Sequence, residues 1–182
     1  GVVGPGGSGT APLCGLANGA PDLLLTGSLS KALGGASGGF VAGPRALIDK
    51  LKAQSRSWIF TMGMTTANAA TALTALKICR DDPGPRERLW RNVAHLREAL
   101  RFYALACHDS DSAITAVKVG GEERARAMTA RLTRAGVFAP AVAFPIVAQG
   151  EARLRLQVSA AHETAELDEA AAALATAFAE TA

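Results

Sequence analysis

Residues 152–159, ARLRLQVS, alternate apolar and polar side chains without a break. In an extended strand Leu154, Leu156 and Val158 then fall on one face and Arg153, Arg155 and Gln157 on the other, because successive side chains point to opposite sides. Such a strand needs a layer over its apolar face, and the flanking sequence offers one at helical spacing. Ala125, Met128 and Leu132 share one face of a helix expected over residues 122–135, and Leu167, Ala171, Leu174 and Phe178 one face of a helix over 164–180. Leu89, Val93, Leu96, Leu100 and Tyr103 make a third amphipathic helix over about 86–106. Two more strands are expected over 113–119 and 137–141, so this half reads as a small sheet under helices, an α/β module.

The first half is organised differently. Its opening residues, GVVGPGGSGTAPLCGLANGA, are loop by their density of Gly and Pro. Residues 22–26, DLLLT, read as a short buried strand and Phe40-Val41-Ala42 as a second. Pro44 suits the first turn of a helix running to about residue 53, and an Ala- and Leu-rich helix over 65–80 closes at Asp81-Asp82-Pro83-Gly84. That closure is the internal boundary, giving domains 1–84 and 85–182.

At 49% hydrophobic the chain can bury a core, and its net charge of +3 is scattered rather than gathered into a block. An anionic small molecule is therefore a better partner than nucleic acid. Cys14, Cys79 and Cys107 are odd in number and widely spaced, with no CxxC pattern, which points to no metal and to a reduced, cytoplasmic protein. No apolar run reaches the ~18 to 20 residues of a membrane span, so no membrane partner is expected. The chain begins at Gly1, without Met and inside a glycine-rich loop, which suggests a piece of a longer protein.

The residue that stands out chemically is Lys31. It follows the first strand in TGSLSKALGG, among hydroxyls and glycines, and Asp22 is the only carboxylate within ten residues on either side. A Schiff-base lysine must shed its proton near neutral pH, which desolvation and the absence of a neighbouring anion favour. Ser28 or Ser30 would offer hydrogen bonds to a phosphate, and the glycines let backbone approach a bound group. An ordinary lysine on a flexible loop has the same spacing.

The run TGSLSKALGGASGGFVAG, residues 26–43, resembles the pyridoxal-phosphate lysine motif of the α-oxoamine synthases. Three further blocks agree in order and distance: GVVGPGGSGT at the start, Arg56-Ser57-Trp58-Ile59-Phe60-Thr61, and Ala152-Arg153-Leu154-Arg155 through Ser159-Ala160-Ala161-His162. Two departures are visible. Met62-Gly63-Met64-Thr65-Thr66 lacks the family's usual proline, and Ser8 stands where an arginine is frequent; both bear on the substrate more than on the cofactor.

The resemblance implies a fold-type I pyridoxal-phosphate transferase, aspartate aminotransferase-like, with part of the large domain in residues 1–84 and the small C-terminal domain in 85–182. It implies that Lys31 carries pyridoxal 5'-phosphate and later takes the α-proton as general base. Ser28 would bind the cofactor phosphate. Thr61 would reach the phosphate of a homodimeric partner, although from the residues alone it equally suits a cap for the helix near Thr65. Arg155 would bind the carboxylate of the amino-acid substrate through its planar fork, where the residues alone allow a solvated sheet face; Arg153 and His162 are expected to be structural.

The expected reaction condenses an amino acid with an acyl-CoA or acyl-carrier-protein thioester, usually with loss of carbon dioxide, to an α-amino ketone. An aminotransferase of the same fold, or a non-catalytic aminotransferase-like domain, are the alternatives. The residues that pair with the cofactor's pyridine nitrogen and stack on its ring fall upstream of Gly1 in the family pattern. The chain alone is therefore expected to be inactive.

Overall fold

In the computed structural model, which describes residues 2–35 and 37–181, the chain divides into two units, Gly1–Pro83 and Gly84–Ala182. Gly1, where the chain opens, and Ala36, inside the glycine-rich run, lie outside the described residues, as does Ala182.

The first unit opens with a 3-10 turn, Pro5–Gly7, and a single helical turn, α1 (Thr10–Leu13). Strands β1 (Leu25–Ser28) and β2 (Gly39–Ala42) pair antiparallel, Leu25 opposite Ala42 and Ser28 opposite Gly39. Helices α2 (Arg45–Gln54), α3 (Arg56–Ile59) and α4 (Thr66–Asp81) follow. The buried strand expected over 22–26 is corrected in place and in burial. Leu23 N–H is used in a turn to Ala20 C=O at 3.0 Å, so the ladder starts only at Leu25. Leu24 is exposed, because a two-stranded ribbon buries little surface by itself. Leu29 and Ala72, with Leu33 against them, form the small apolar contact that ties the turn after β1 to α4.

The second unit holds helix α5 (Gly84–Phe102), strand β3 (Ile114–Gly120), helix α6 (Glu122–Arg134), strands β4 (Ala141–Val142) and β5 (Ala152–Gln157), and helix α7 (Thr164–Glu180). The sheet order is β3-β5-β4, antiparallel throughout, with β5 central. Its inner face, with Val117, Leu154 and Leu156, meets Val93, Leu96 and Leu100 of α5, Met128 and Leu132 of α6, and Leu167 and Leu174 of α7. Each fully buried Leu of this kind contributes about 1.5–3 kcal/mol. The periodicities expected for α6 and α7 land on buried positions except at Phe178, which is half-buried while Ala177 beside it is buried, and α7 opens with a capping box between Glu163 and Glu166.

Two boundaries differ for physical reasons. Helix α5 stops at Phe102 rather than near residue 106, because Ala104 adopts φ 55 and Leu105 N–H turns back to Leu100 C=O at 3.0 Å. No glycine announces that stop, and Tyr103 ends up exposed. The strand expected over 137–141 shrinks to two residues: Val137 N–H caps α6 on Leu132 C=O at 2.8 Å, and Pro140 has no N–H to offer. Among the described residues no helix is long and apolar enough to cross a membrane.

Candidate functional site

Strand β1 delivers its last residue, Ser28, to the start of the glycine-rich turn, and one further ladder bond, Leu29 N–H to Gly38 C=O at 2.9 Å, holds the turn closed. Leu29 is buried, so its neighbours Ser28 and Ser30 face outward. Their hydroxyls lie 2.9 Å apart, and Lys31 Nζ lies 3.4 Å from each. A primary amine thus sits beside two neutral hydroxyls. The approach of the two strands is set by glycine: a Cβ at Gly39 would stand 2.6 Å from Gly27 O, and Gly38 takes φ 97, which favours glycine. Ser37 N–H reaches Asn68 Oδ1 at 3.5 Å, joining the far side of the turn to the first turn of α4.

Lys31 is exposed in this chain, so the desolvation expected around it is not met by the described residues; a two-stranded hairpin offers no second layer to cover it. The donor set nevertheless fits an aldehyde cofactor carrying a phosphate. One amine can bind the carbonyl carbon, two hydroxyls can donate to phosphate oxygens, and no side chain at 34, 35, 38 or 39 blocks the approach. Among the described residues no group of three or more His, Cys, Asp and Glu is placed to hold a metal ion.

Thr61 is not the cap of α4. That position belongs to Thr65, whose Oγ1 accepts from Asn68 N–H at 3.2 Å. Thr61 is exposed in a run of exposed apolar residues, Trp58, Ile59, Phe60 and Met62, the last 93% accessible.

In the second unit the helices cover one face of the sheet, and Arg155 stands on the other. It lies opposite Ala116 of β3, and its N–H bonds to Pro140 C=O at 3.0 Å. Its guanidinium donates through Nη2 to Gln157 Oε1 at 3.0 Å. Arg153, on the same face, is held differently: Nε donates to Glu151 C=O at 3.1 Å, and Nη2 lies 3.7 Å from the Glu151 carboxylate. Hydrogen bonding from Lys118 Nζ at 2.8 Å, with the charges of Lys118 and Arg153, holds the Glu151 carboxyl below its ordinary range. The Glu122 carboxyl is lowered too, first by Gly150 N–H at 3.0 Å.

His162 serves the local backbone. Its Nδ1 accepts from Ser159 N–H at 3.2 Å, which fixes the tautomer with hydrogen on Nε2. Asn92 Nδ2 on α5 braces the same turn by donating to Ser159 C=O at 3.0 Å and His162 C=O at 2.8 Å. Asn92, Gln157 and the buried Arg97 are the polar residues that sequence reasoning passes over. Of these only Gln157 carries a signal in the pattern, since it shares Arg155's face of β5.

The chain matches the aminotransferase class I and II family over residues 1–174. It is 41% identical over 175 residues to an 8-amino-7-oxononanoate synthase of Symbiobacterium thermophilum, covering 96% of this chain and 44% of that protein. An 8-amino-7-oxononanoate synthase of Xylella fastidiosa is 39% identical, with 96% and 43% covered. The fold superposes on a lysine-to-alanine variant of a serine palmitoyltransferase from S. paucimobilis with a bound PLP-myriocin aldimine, at a TM-score of 0.87 and 26% identity, over 99% of this chain and 45% of that one. The chain thus spans less than half the length of each of these relatives. The fold-type I expectation is borne out by these matches.

Proposed function

We infer the function of this chain from one premise: it belongs to the aminotransferase class I and II family, in the α-oxoamine synthase group. The reading is a pyridoxal-phosphate acyltransferase, in which an amino acid is condensed with an acyl thioester of coenzyme A or a carrier protein, usually with loss of carbon dioxide. The observation that carries it is the placement of Lys31 Nζ at 3.4 Å from the hydroxyls of Ser28 and Ser30, at the end of β1.

Lys31 Nζ would hold the cofactor as its nucleophile, and the same nitrogen, as a free amine, would take the α-proton of the substrate. Bound pyridoxal phosphate supplies a sink for the electron pair left on the α-carbon. Ser28 Oγ–H donates to the phosphate, and Ser30, bonded to Ser28 at 2.9 Å, holds that hydroxyl in place. Arg155 takes the substrate carboxylate with its fork. Thr61 donates to the phosphate bound by a second copy; the exposed apolar run around it supports a homodimer surface. Residues 1–84 are assigned to the large domain, 85–182 to the small one, and the protein to the cytoplasm. The remaining cofactor contacts are assigned to the part of the relatives that this chain does not span.

Thiol release from acyl-CoA and acyl-carrier-protein donors, with glycine, alanine or serine as acceptor, tests the reading. With the part of the relatives that this chain does not span supplied, turnover that disappears in Lys31→Ala is expected. Oxo-acid formation from the amino acid without thiol release would instead make the protein an aminotransferase.

A further inference from the structure

Two side chains on the open face of β5 are bonded to each other, and the proposed function uses only one of them. Arg155 and Gln157 are two residues apart on one strand, so both project to the same side, and Arg155 Nη2 donates to Gln157 Oε1 at 3.0 Å. The neighbouring Arg153 already leans on a carboxylate, that of Glu151 at 3.7 Å. Arg155 is fastened to a neutral amide. That difference matters for a group meant to receive an anion. A guanidinium has five N–H donors, and Nη2 shares in both of its two-pronged edges; a single bond to Gln157 leaves one such edge whole. An amide also fixes the long side chain along the strand without neutralising its charge, so less rotamer freedom is lost when the ligand arrives.

We propose that Gln157 is the positioning residue for the amino-acid carboxylate, holding Arg155 along β5 with one two-pronged edge free and its charge unspent. This rests on the reading that Arg155 binds that carboxylate. Three consequences follow. Removing the amide should weaken amino-acid binding more than it slows turnover. A carboxylate at 157 should be worse than an apolar residue, because it would occupy the guanidinium that the substrate needs. Neither change should matter once Arg155 is gone.

The experiment measures amino-acid Kd from the cofactor's absorbance change, together with KM and kcat, in the holoenzyme and its Arg155→Lys, Arg155→Ala, Gln157→Leu and Gln157→Glu variants. Gln157→Glu is expected to raise Kd and KM on the order of tenfold, the scale of one charge-assisted bond, and Gln157→Leu by less, with a smaller change in kcat for both. In the Arg155→Ala background Gln157→Glu should add nothing. Gln157 is exposed, so thermal melts should coincide, and equal effects of Gln157→Glu and Gln157→Leu, or effects that persist without Arg155, would overturn the proposal. If Arg155→Lys leaves KM unchanged, the reading of Arg155 falls and Gln157 falls with it. If Arg155→Lys raises KM while Gln157→Glu does not, Gln157 alone is wrong.

Discussion

Arg97→Met isolates an interaction that no hydrophobic pattern announces. Arg97 is 9% exposed on α5 and donates to Thr115 Oγ1 at 3.2 Å, Ser110 C=O at 3.1 Å, Ser110 Oγ at 3.4 Å and Ser112 C=O at 2.8 Å. Methionine fills much of the same volume and removes the buried charge, which by itself relieves a desolvation cost. The Ser110 and Ser112 groups lie near the surface and can turn to water. Thr115 cannot, because it is fully buried at 0% exposure and its hydroxyl would lose the partner it has. A stranded buried hydroxyl costs about 1–3 kcal/mol, so the variant should lose about 2 kcal/mol. For a unit of this size that lowers Tm by about 8–16 °C. Adding Thr115→Val takes away the stranded group, and the double variant should recover most of the loss. Urea and thermal unfolding of the three proteins provide the assay. A single variant as stable as the parent, or a double variant no better than the single, would refute the reasoning.

Ala104→Gly should stabilise the protein by about 1 kcal/mol in the same melts, since φ 55 costs alanine what glycine does not pay; a loss of stability would contradict the left-handed stop of α5. Thr65→Ala should cost about 1 kcal/mol through the lost cap while Thr61→Ala costs nothing in stability, and equal effects on the melts would undo the distinction. Gly39→Ala should open the β1–β2 hairpin, because the added Cβ would lie 2.6 Å from Gly27 O; undiminished pyridoxal-phosphate affinity in a titration would show that the hairpin does not set the site. Glu122 and Glu151 are both held below the ordinary carboxylate range, so their stabilisation is present above that range and lost as pH falls through the lowered values. Tm should therefore drop on acidification, less steeply in a Glu122→Gln/Glu151→Gln variant, and identical pH profiles would exclude the two carboxyls as the cause.

Helices α6 and α7 are legible in the sequence because their apolar residues recur at one period and their ends carry clear signals. Helix α6 closes on Gly136 at φ 82, and α7 opens on Glu163 and Glu166. Strand β5 is legible for the same reason, with Leu154 and Leu156 buried and Arg155 outward. Where one residue carries competing demands the pattern misleads. Val137 has strand character but spends its N–H on a helix cap, and Leu24 has strand character but stands exposed ahead of the ladder. In the candidate site, Lys31 and its hydroxyls are visible as a glycine-rich motif, but the cap at Thr65 rather than Thr61 depends on where α4 begins. Asn92 and Arg97 are invisible for another reason: their partners are backbone carbonyls and hydroxyls far along the chain, and a carbonyl leaves no mark on the amino-acid code.

Whether Lys31 is the residue that carries the cofactor is decided by covalent trapping. The pyridoxal-phosphate-loaded protein is reduced with borohydride and digested, and the pyridoxyl group is located by peptide mapping. The label is expected on Lys31, the lysine whose Nζ sits beside the hydroxyls of Ser28 and Ser30, and Lys31→Ala should abolish it. Stoichiometric label on Lys50 or Lys52, or full labelling that survives Lys31→Ala, would contradict the assignment.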